Sequence, residues 1–340
     1  MKRIAIEEHF ATDEYFNYLR SRKETPRREL IKDGEHHELE REWWGPSGYI
    51  ESVPEHRNKI LDIGDGRLKD MDESGIKMQV LSLTFPSVEL FDVSDGIFWA
   101  KRTNDELFEV TQKYPERFAG FATLAPQDPV ASVDELERAV KILGFSGVMI
   151  NSYIGKGEYL DAPKYRPIFE KAVELAVPIY IHPKMPAPDM IQPYLAYPGL
   201  ALAIWGFAAD AGLHAMRLIC SGVFDEYPDL KIILGHLGEA LPYWLLRLDS
   251  QWKRNPLARQ RKKTPSQYFK DNFFITTSGM FGQETLQYVI SVLGADKILF
   301  AVDYPYELNT EAVHFMDTAP IVDSDREKIY HSNAEKLLKL

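Results

Sequence analysis

Eight short runs rich in branched and aromatic residues recur along the chain: "RIAIEE", "KMQVLSL", "RFAGFATL", "FSGVMIN", "PIYIH", "KIILGH", "FFITTS" and "KILFAVD". Between most of them lie segments with apolar residues at helical spacing, such as "DELERAVKIL", "YRPIFEKAVELA" and "HAMRLICSGVF". The runs are apolar at nearly every position, so both faces of their sheet need covering, which a parallel sheet flanked by helices provides. Eight such units within 340 residues suit an α/β fold of the (β/α)8 TIM-barrel type. A doubly wound sheet would more often carry fewer strands and a Gly-rich first turn, and no G-x-G-x-x-G follows strand one.

Three stretches depart from the repeat. Residues 20–57, "RSRKETPRRELIKDGEHHELEREWWGPSGYIESVPEHR", are charged and broken by Pro and Gly, and read as a long insertion after strand one that covers the barrel mouth. "KMPAPDMIQPYLAYPGLALAIWGF" after strand five is rich in Pro and aromatics, and "QWKRNPLARQRKKTPSQYFKDN" after the sixth unit is basic and polar. With no internal repeat, low-complexity tract or linker, residues 1–340 read as a single barrel domain.

Composition narrows the class. At 45% apolar and 12% aromatic residues the chain can bury a large core, and its formal net charge of −11 opposes a nucleic-acid surface, which needs concentrated Lys and Arg. No apolar run approaches the roughly 20 residues that span a bilayer, and the N-terminus lacks the order of a secretory signal, so a cytoplasmic protein with no membrane partner is expected. Cys220, the only cysteine, allows no intrachain disulfide and reads as a buried, inert thiol.

In a parallel barrel the chemistry sits at the C-terminal ends of the strands. Alternation places Ala5, Glu7 and His9 on one face of strand one and Ile4, Ile6, Glu8 and Phe10 on the other, with the isoleucines against the helices and Glu7 and His9 in the mouth. The pattern returns: "VPIYIHP" ends in His182, "LKIILGHLGE" in His236 with Glu239 three residues on, and "DKILFAVDYP" in Asp303. A lone His at a strand end is usually a packing residue. Four such endings, on strands one, five, six and eight, point to a divalent-metal site including Glu7, His9, His182 and Asp303.

These residues resemble a known family. "EEHF", "YIHP", "GHLGEALPYW" and "DYPYE" are similar to the strand ends of the amidohydrolase superfamily, in its branch of decarboxylases related to aminocarboxymuconate semialdehyde decarboxylase. The likeness runs through "RFAGFATLAPQDP", "LGFSGVMINS", "SGVFDEYPDLKIILGH" and "NAEKLLKL", and looks closest to the γ-resorcylate, 2,3-dihydroxybenzoate and 5-carboxyvanillate decarboxylases. The resemblance implies one divalent ion per subunit, Mn2+ or Zn2+, on Glu7, His9, His182 and Asp303, and no organic cofactor. Dinuclear members usually carry a carboxylated lysine on strand four, where this chain reads "FSGVMINSY".

The implied reaction is non-oxidative loss of CO2 from a hydroxylated aromatic acid, which requires the leaving carbon to be protonated first, because an aryl carbanion is too unstable. Asp303 is the implied acid, with His236 and Glu239 a hydrogen-bonded pair if the chain turns into a helix after "GH". Arg247 matches an arginine the family uses near the substrate, and Arg57 matches a carboxylate-binding arginine at the end of the insertion. Tyr306 would bond a second polar ring substituent, and Thr84, Phe85 and Phe207 would line the ring slot, with Trp43, Trp44 and Trp205 as packing neighbours. The resemblance also implies a homodimer or homotetramer. A metal-dependent hydrolase of a lactone, ester or amide could use the same groups, and a non-catalytic metal-binding barrel is a more distant reading. His36, His37 and His56 read as solvated, His314 and His331 as helix-surface residues, His214 as a packing histidine, and "RQRKK" at 259–263 as a solvated face or oligomer contact.

Overall fold

The structure is a computed structural model that describes residues 1–32, 38–45, 48–197 and 199–340. All eight runs form strands: β1 Ile4–Phe10, then, after an inserted sheet of β2 Arg27–Lys32, β3 Glu38–Gly45 and β4 Gly48–Ser52, the strands β5 Met78–Leu83, β6 Phe118–Thr123, β7 Gly147–Asn151, β8 Ile179–His182, β9 Ile232–Leu234, β10 Phe273–Thr276 and β11 Ile298–Leu299. Among the described residues the large sheet has eight strands in the order β1-β5-β6-β7-β8-β9-β10-β11, with parallel pairing along it. Bonds from Ile6 N to Phe300 O (3.2 Å), Asp303 N to Glu7 O (3.0 Å) and His9 N to Tyr304 O (2.7 Å) join the last strand to the first and close the (β/α)8 barrel.

Helical periodicity explains the outer layer. Pro129–Lys141 starts where Asp128 accepts from the Val130 and Ala131 amides beside a Pro at the first turn, and it buries Leu136 and Ala139. Arg166–Leu175 buries Ile168, Phe169 and Ala172, and ends at Ala176 in the left-handed region. Each large apolar side chain so buried contributes about 1.5–3 kcal/mol. The C-terminal helix Asn333–Leu338 sends Ala334 and Leu338 against Ile4, Ile6, Val80, Phe121, Met149, Ile233 and Leu299, plugging the end of the barrel opposite the site.

That inner cluster corrects the face assignment of strand one: Ile4 and Ile6 point into the barrel, and Ala5 packs outward against the helices. Pairing runs Ala5 to Gln79 but Glu8 to Leu81, so Ile6 and Glu7 together oppose Val80. This β-bulge resets the alternation, letting apolar side chains fill the barrel below while Glu7 and His9 face the mouth above. Glu8 points away as expected, and it clasps the seam: its carboxylate accepts from Val302 N at 2.9 Å and from Tyr304 N at 3.3 Å.

The insertion is an antiparallel sheet rather than an irregular loop. Glu40, Glu42 and Trp44 alternate onto a buried face of β3, where Arg28 from β2 bonds Glu40 at 3.0 Å and also Glu42. Trp44 Nε1 donates to Glu42 at 2.7 Å and its ring packs on Phe85, which places β3 over the mouth. His36 and His37 lie outside the described residues. Among those described, no helix is long and apolar enough to cross a membrane.

Candidate active site

Glu7, His9, His182 and Asp303 converge at the mouth, offering ligand atoms that all lie within 4.8 Å of one another, three of the residues being buried and Asp303 half-buried. His9 Nε2 stands 3.1 Å from Asp303 Oδ1, and His182 Nε2 3.6 Å from Glu7 Oε1. Tyr180 and Thr276 both donate to Glu7 Oε2, the latter at 3.0 Å, which turns Oε1 toward the cluster. Glu7 Oε1, His9 Nε2 and Asp303 Oδ1 are all buried with no hydrogen-bond partner. Leaving such atoms unpaired costs roughly 1–3 kcal/mol each, more for charged groups, so a set of orphaned acceptors aimed at one point fits a bound cation. Burial and the adjacent His9 push the His182 imidazole well below its ordinary range, leaving it neutral, the form that ligates metal.

His236 and Glu239 meet as anticipated, with Nδ1 to Oε1 at 2.7 Å, but by a different backbone. His236, Leu237, Gly238, Glu239 and Ala240 all have φ between 50° and 85°. Left-handed geometry costs non-Gly residues about 1–2 kcal/mol each, so the local sequence would not choose it; strain of this kind gathers at functional sites where surroundings over-determine the chain. Gly235, just before the turn, lies so close that a Cβ there would be 3.2 Å from Glu7 Oε1. His236 Nε2 lies 3.5 Å from Asp303 Oδ2. Burial alone would lower the His236 pKa, but the Glu239 and Glu7 carboxylates and the bond to Asp303 hold it well above its ordinary value. Asp303 is the converse: burial would raise it, and the adjacent His236 and His9 rings hold it well below.

A family model described as an amidohydrolase matches residues 33–340. The chain belongs to the amidohydrolase family. It is 42% identical over 294 residues to the gamma-resorcylate decarboxylase of Rhizobium sp. (strain MTP-10005), covering 84% of this chain and 90% of that one. Among solved structures it is similar to a dihydroxybenzoic acid decarboxylase from Polaromonas sp. JS666 with bound manganese and the inhibitor 2-nitroresorcinol (38% identity, TM-score 0.87, 100% of this chain and 97% of that one). It is likewise similar to 5-carboxyvanillate decarboxylase from Sphingomonas paucimobilis (33% identity, TM-score 0.88, 100% and 99%).

Beside the metal-ligand cluster this amidohydrolase has a cavity of about 320 Å³, whose lining includes Arg28, Glu42, His56, Phe85 and Tyr306. Phe85 stacks on Tyr306 with centroids 5.1 Å apart, Trp44 stacks on Phe207 at 5.8 Å, and Tyr306 lies edge-on to His9 at 5.5 Å. Thr84 Oγ1 and Tyr306 OH share a 2.7 Å hydrogen bond. Thr84, Phe85, Tyr306 and Phe207 are thus gathered on one aromatic wall, joined by Trp44, while Trp205 is 53% exposed and Trp43 stacks with Arg27.

The arginines fall elsewhere. On Pro54–Leu61 the residue that reaches the cavity is His56, its ring 4.7 Å from Tyr306, with Arg57 half-buried beside it. His56 is therefore not solvated: burial and the charge of Arg28 lower its pKa to about 4. Arg247 lies on the exposed side of Leu241–Trp252 with Tyr243, Trp244 and Leu246, so within one chain it does not join the cluster. His214 is a buried packing residue whose Nε2 accepts from Leu160 N at 3.1 Å. His314 is exposed and His331 pairs with Glu335 at 3.0 Å. Cys220 is half-buried rather than buried, and partial burial raises its thiol pKa. In the basic run, Arg261 bonds Cys220 O and Lys263 pairs with Asp271.

Sequence reading missed Tyr180, Thr276 and Asn151. Tyr180 and His182 share the inward face of β8, a period-two signal open to anyone who trusted it; Asn151, which bonds His182 Nδ1 at 2.9 Å, carried no motif.

Proposed function

We propose that this chain is a divalent-metal-dependent, non-oxidative decarboxylase of a hydroxylated aromatic carboxylic acid, a carboxy-lyase built on the amidohydrolase barrel. The observation that carries this is the placement of Asp303 between a four-ligand metal cluster and the His236–Glu239 pair, at the edge of an aromatic-walled slot. The relatives named above are decarboxylases of dihydroxybenzoate and 5-carboxyvanillate, which favours this reading over hydrolysis or a non-catalytic barrel.

Glu7, His9, His182 and Asp303 would hold one ion, Mn2+ or Zn2+; both suit His and carboxylate donors, and the Polaromonas structure contains manganese. When bound, the ion would neutralise and orient the phenolate and carboxylate oxygens of the substrate. Phe85, Phe207 and Tyr306 would sandwich the ring, with Thr84 holding the Tyr306 hydroxyl. Asp303, too acidic to store a proton unaided, would draw one from the imidazolium Nε2–H of His236 and pass it to the ring carbon bearing the carboxylate. The C–C bond to the carboxylate then breaks, its electron pair returns to the ring, and CO2 leaves. Glu239 would keep His236 oriented and charged.

Arg57, beside His56 at the edge of the slot, remains a proposed carboxylate-binding group. Because Arg247 is exposed beside Tyr243, Trp244 and Leu246, it would bind a substrate carboxylate only across an interface with a second copy, in a homodimer or homotetramer. We place the enzyme in the cytoplasm.

The test is turnover of 2,6-dihydroxybenzoate, 2,3-dihydroxybenzoate and 5-carboxyvanillate by purified protein of known metal content, beside an Asp303→Asn control. Near one equivalent of metal, with release of CO2 from one acid and uptake of one solvent deuteron into the ring in D2O, bears the proposal out. Opening of a lactone or ester with no acid consumed would move the assignment to hydrolysis.

A further inference from the structure

Behind His182, on its Nδ1 side, lies a buried polar cluster that the reaction scheme does not use. Glu89, Asn151 and Lys184 are each no more than 1% exposed. Glu89 follows β5, Asn151 ends β7 and Lys184 follows β8, so the C-terminal ends of three barrel strands meet there. The Glu89 backbone carbonyl accepts from Gly155 N at 2.9 Å, pinning its segment to the loop beyond β7.

The contacts in this cluster determine one another. Glu89 Oε1 accepts from the backbone N–H of Asn151 at 2.7 Å, a group that can only donate. The same oxygen lies 3.4 Å from Asn151 Nδ2. The Asn151 amide is therefore oriented with its NH2 toward Glu89, because the flipped amide would set oxygen against oxygen. Its Oδ1 then faces His182 Nδ1 at 2.9 Å, and since an amide oxygen only accepts, Nδ1 must carry the ring proton. In a neutral imidazole that leaves a lone pair on Nε2, the nitrogen that faces Glu7 Oε1 and the metal-ligand cluster. Burial raises the Glu89 carboxyl above its ordinary range, and Lys184, whose ammonium lies over the Tyr153 ring at 4.2 Å, offsets part of that rise.

We propose that Glu89 and Asn151 are positioning residues of the metal site: Glu89 orients the Asn151 amide, and Asn151 fixes His182 in the tautomer whose Nε2 lone pair is aimed at the ion. The proposal rests on the reading of Glu7, His9, His182 and Asp303 as ligands and is independent of which acid the enzyme consumes. It separates Asn151 from an ordinary buried amide, because its function lies in the direction of one hydrogen bond rather than in filling space.

The test measures Mn2+ alone binding to metal-depleted protein, with free ion followed by electron paramagnetic resonance, together with thermal unfolding of the metal-free forms. Asn151→Leu, which keeps the backbone bond to Glu89 but removes the oxygen facing His182, is expected to weaken Mn2+ binding by about 10–100-fold. Glu89→Leu should do likewise, while Glu89→Gln, which retains an accepting oxygen, should recover binding to within about threefold of wild type if the orienting oxygen is what matters. A folded Asn151→Leu protein that binds Mn2+ as wild type does would overturn the proposal. Since buried leucines in a polar cluster can prevent folding, a second measurement uses the unaltered protein: 15N spectra of metal-free, histidine-labelled enzyme, with His182 assigned by its loss in His182→Asn. A protonated Nδ1 supports the proposal and a protonated Nε2 refutes it. Wild-type protein that takes up no Mn2+ would overturn the ligand reading and this inference together, whereas normal uptake beside an unaffected Asn151→Leu overturns this inference alone.

Discussion

The Glu239 carboxylate holds the His236 imidazole at 2.7 Å through a turn in which every residue from His236 to Ala240 has positive φ. The i, i+3 spacing that would bring these groups together on a right-handed helix brings them together on a left-handed one, and the opposite side of the ring is thereby turned to Asp303.

If that pair supplies the proton, Glu239→Gln leaves the metal ligands in place but removes the charge that keeps His236 protonated. Turnover should fall by about 10²–10⁴-fold, the range ordinarily attributable to a positioned acid–base group. Metal analysis and kcat on the same sample decide it: full metal occupancy with unchanged kcat would remove Glu239 from the mechanism.

Tyr306→Phe deletes the hydroxyl bonded to Thr84 while keeping the ring stacked on Phe85. A single neutral hydrogen bond contributes about 0.5–1.5 kcal/mol, so KM for an acid with a second polar ring substituent should rise about 2–12-fold. Comparison with a substrate lacking that substituent provides the control, since its KM should barely move.

Arg28 is buried between Glu40 and Glu42 and its guanidinium lies 3.5 Å from the centre of the Phe16 ring. Arg28→Met leaves Glu42 without its cationic partner over the mouth, while Glu40 keeps Arg20 at 2.8 Å, and breaking a buried ion pair from one side costs about 3–5 kcal/mol. Urea unfolding followed by circular dichroism should show that loss; a midpoint equal to wild type would mean that water enters freely and the pair is not buried in solution.

His214 governs an acid limb of stability. Burial, with Arg217 and Lys184 nearby, lowers its folded pKa to about 3, against about 6.5 in an unfolded chain. Below pH 6.5 the unfolded chain binds a proton the folded one refuses, so stability falls as pH falls, by about 2 kcal/mol at pH 5, and levels off only below about pH 3. His214→Gln should flatten this part of the stability curve between pH 6.5 and 5, as read from urea midpoints across that range.

The barrel was legible because its strands are apolar on both faces and its helices on one, which is the pattern that two-layer burial imposes. The convergence of Glu7, His9, His182 and Asp303 was legible for a related reason: polar side chains that close apolar strands stand out against their background. The bulge at Ile6 and Glu7 was hidden, because an extra residue leaves no compositional mark and strict alternation assigned the right direction to Glu7 and His9 while misplacing Ile4, Ala5 and Ile6. The inserted sheet was hidden for the opposite reason, since the face β3 buries carries Glu40 and Glu42, and a charged interior face satisfied by Arg28 and Arg20 looks like a solvated one. His56, rather than its neighbour Arg57, reaches the cavity through the direction in which Pro54–Leu61 runs, a property of packing that residue order alone does not carry.

The seam between the first and last barrel strands sets a timetable. Glu7 and His9 are made first and Asp303 near the end, and Glu8 reaches across that seam to the amides of Val302 and Tyr304. A growing or truncated chain that stops before residue 298 holds three of the four clustered residues but neither Asp303, the proposed acid, nor the strand that presents it. On the proposed reading the fourth ligand and the acid are one residue, so the complete four-residue cluster and the proton donor would arrive together, at the moment the ring is sealed, and a partly made copy would have no means of turning over substrate.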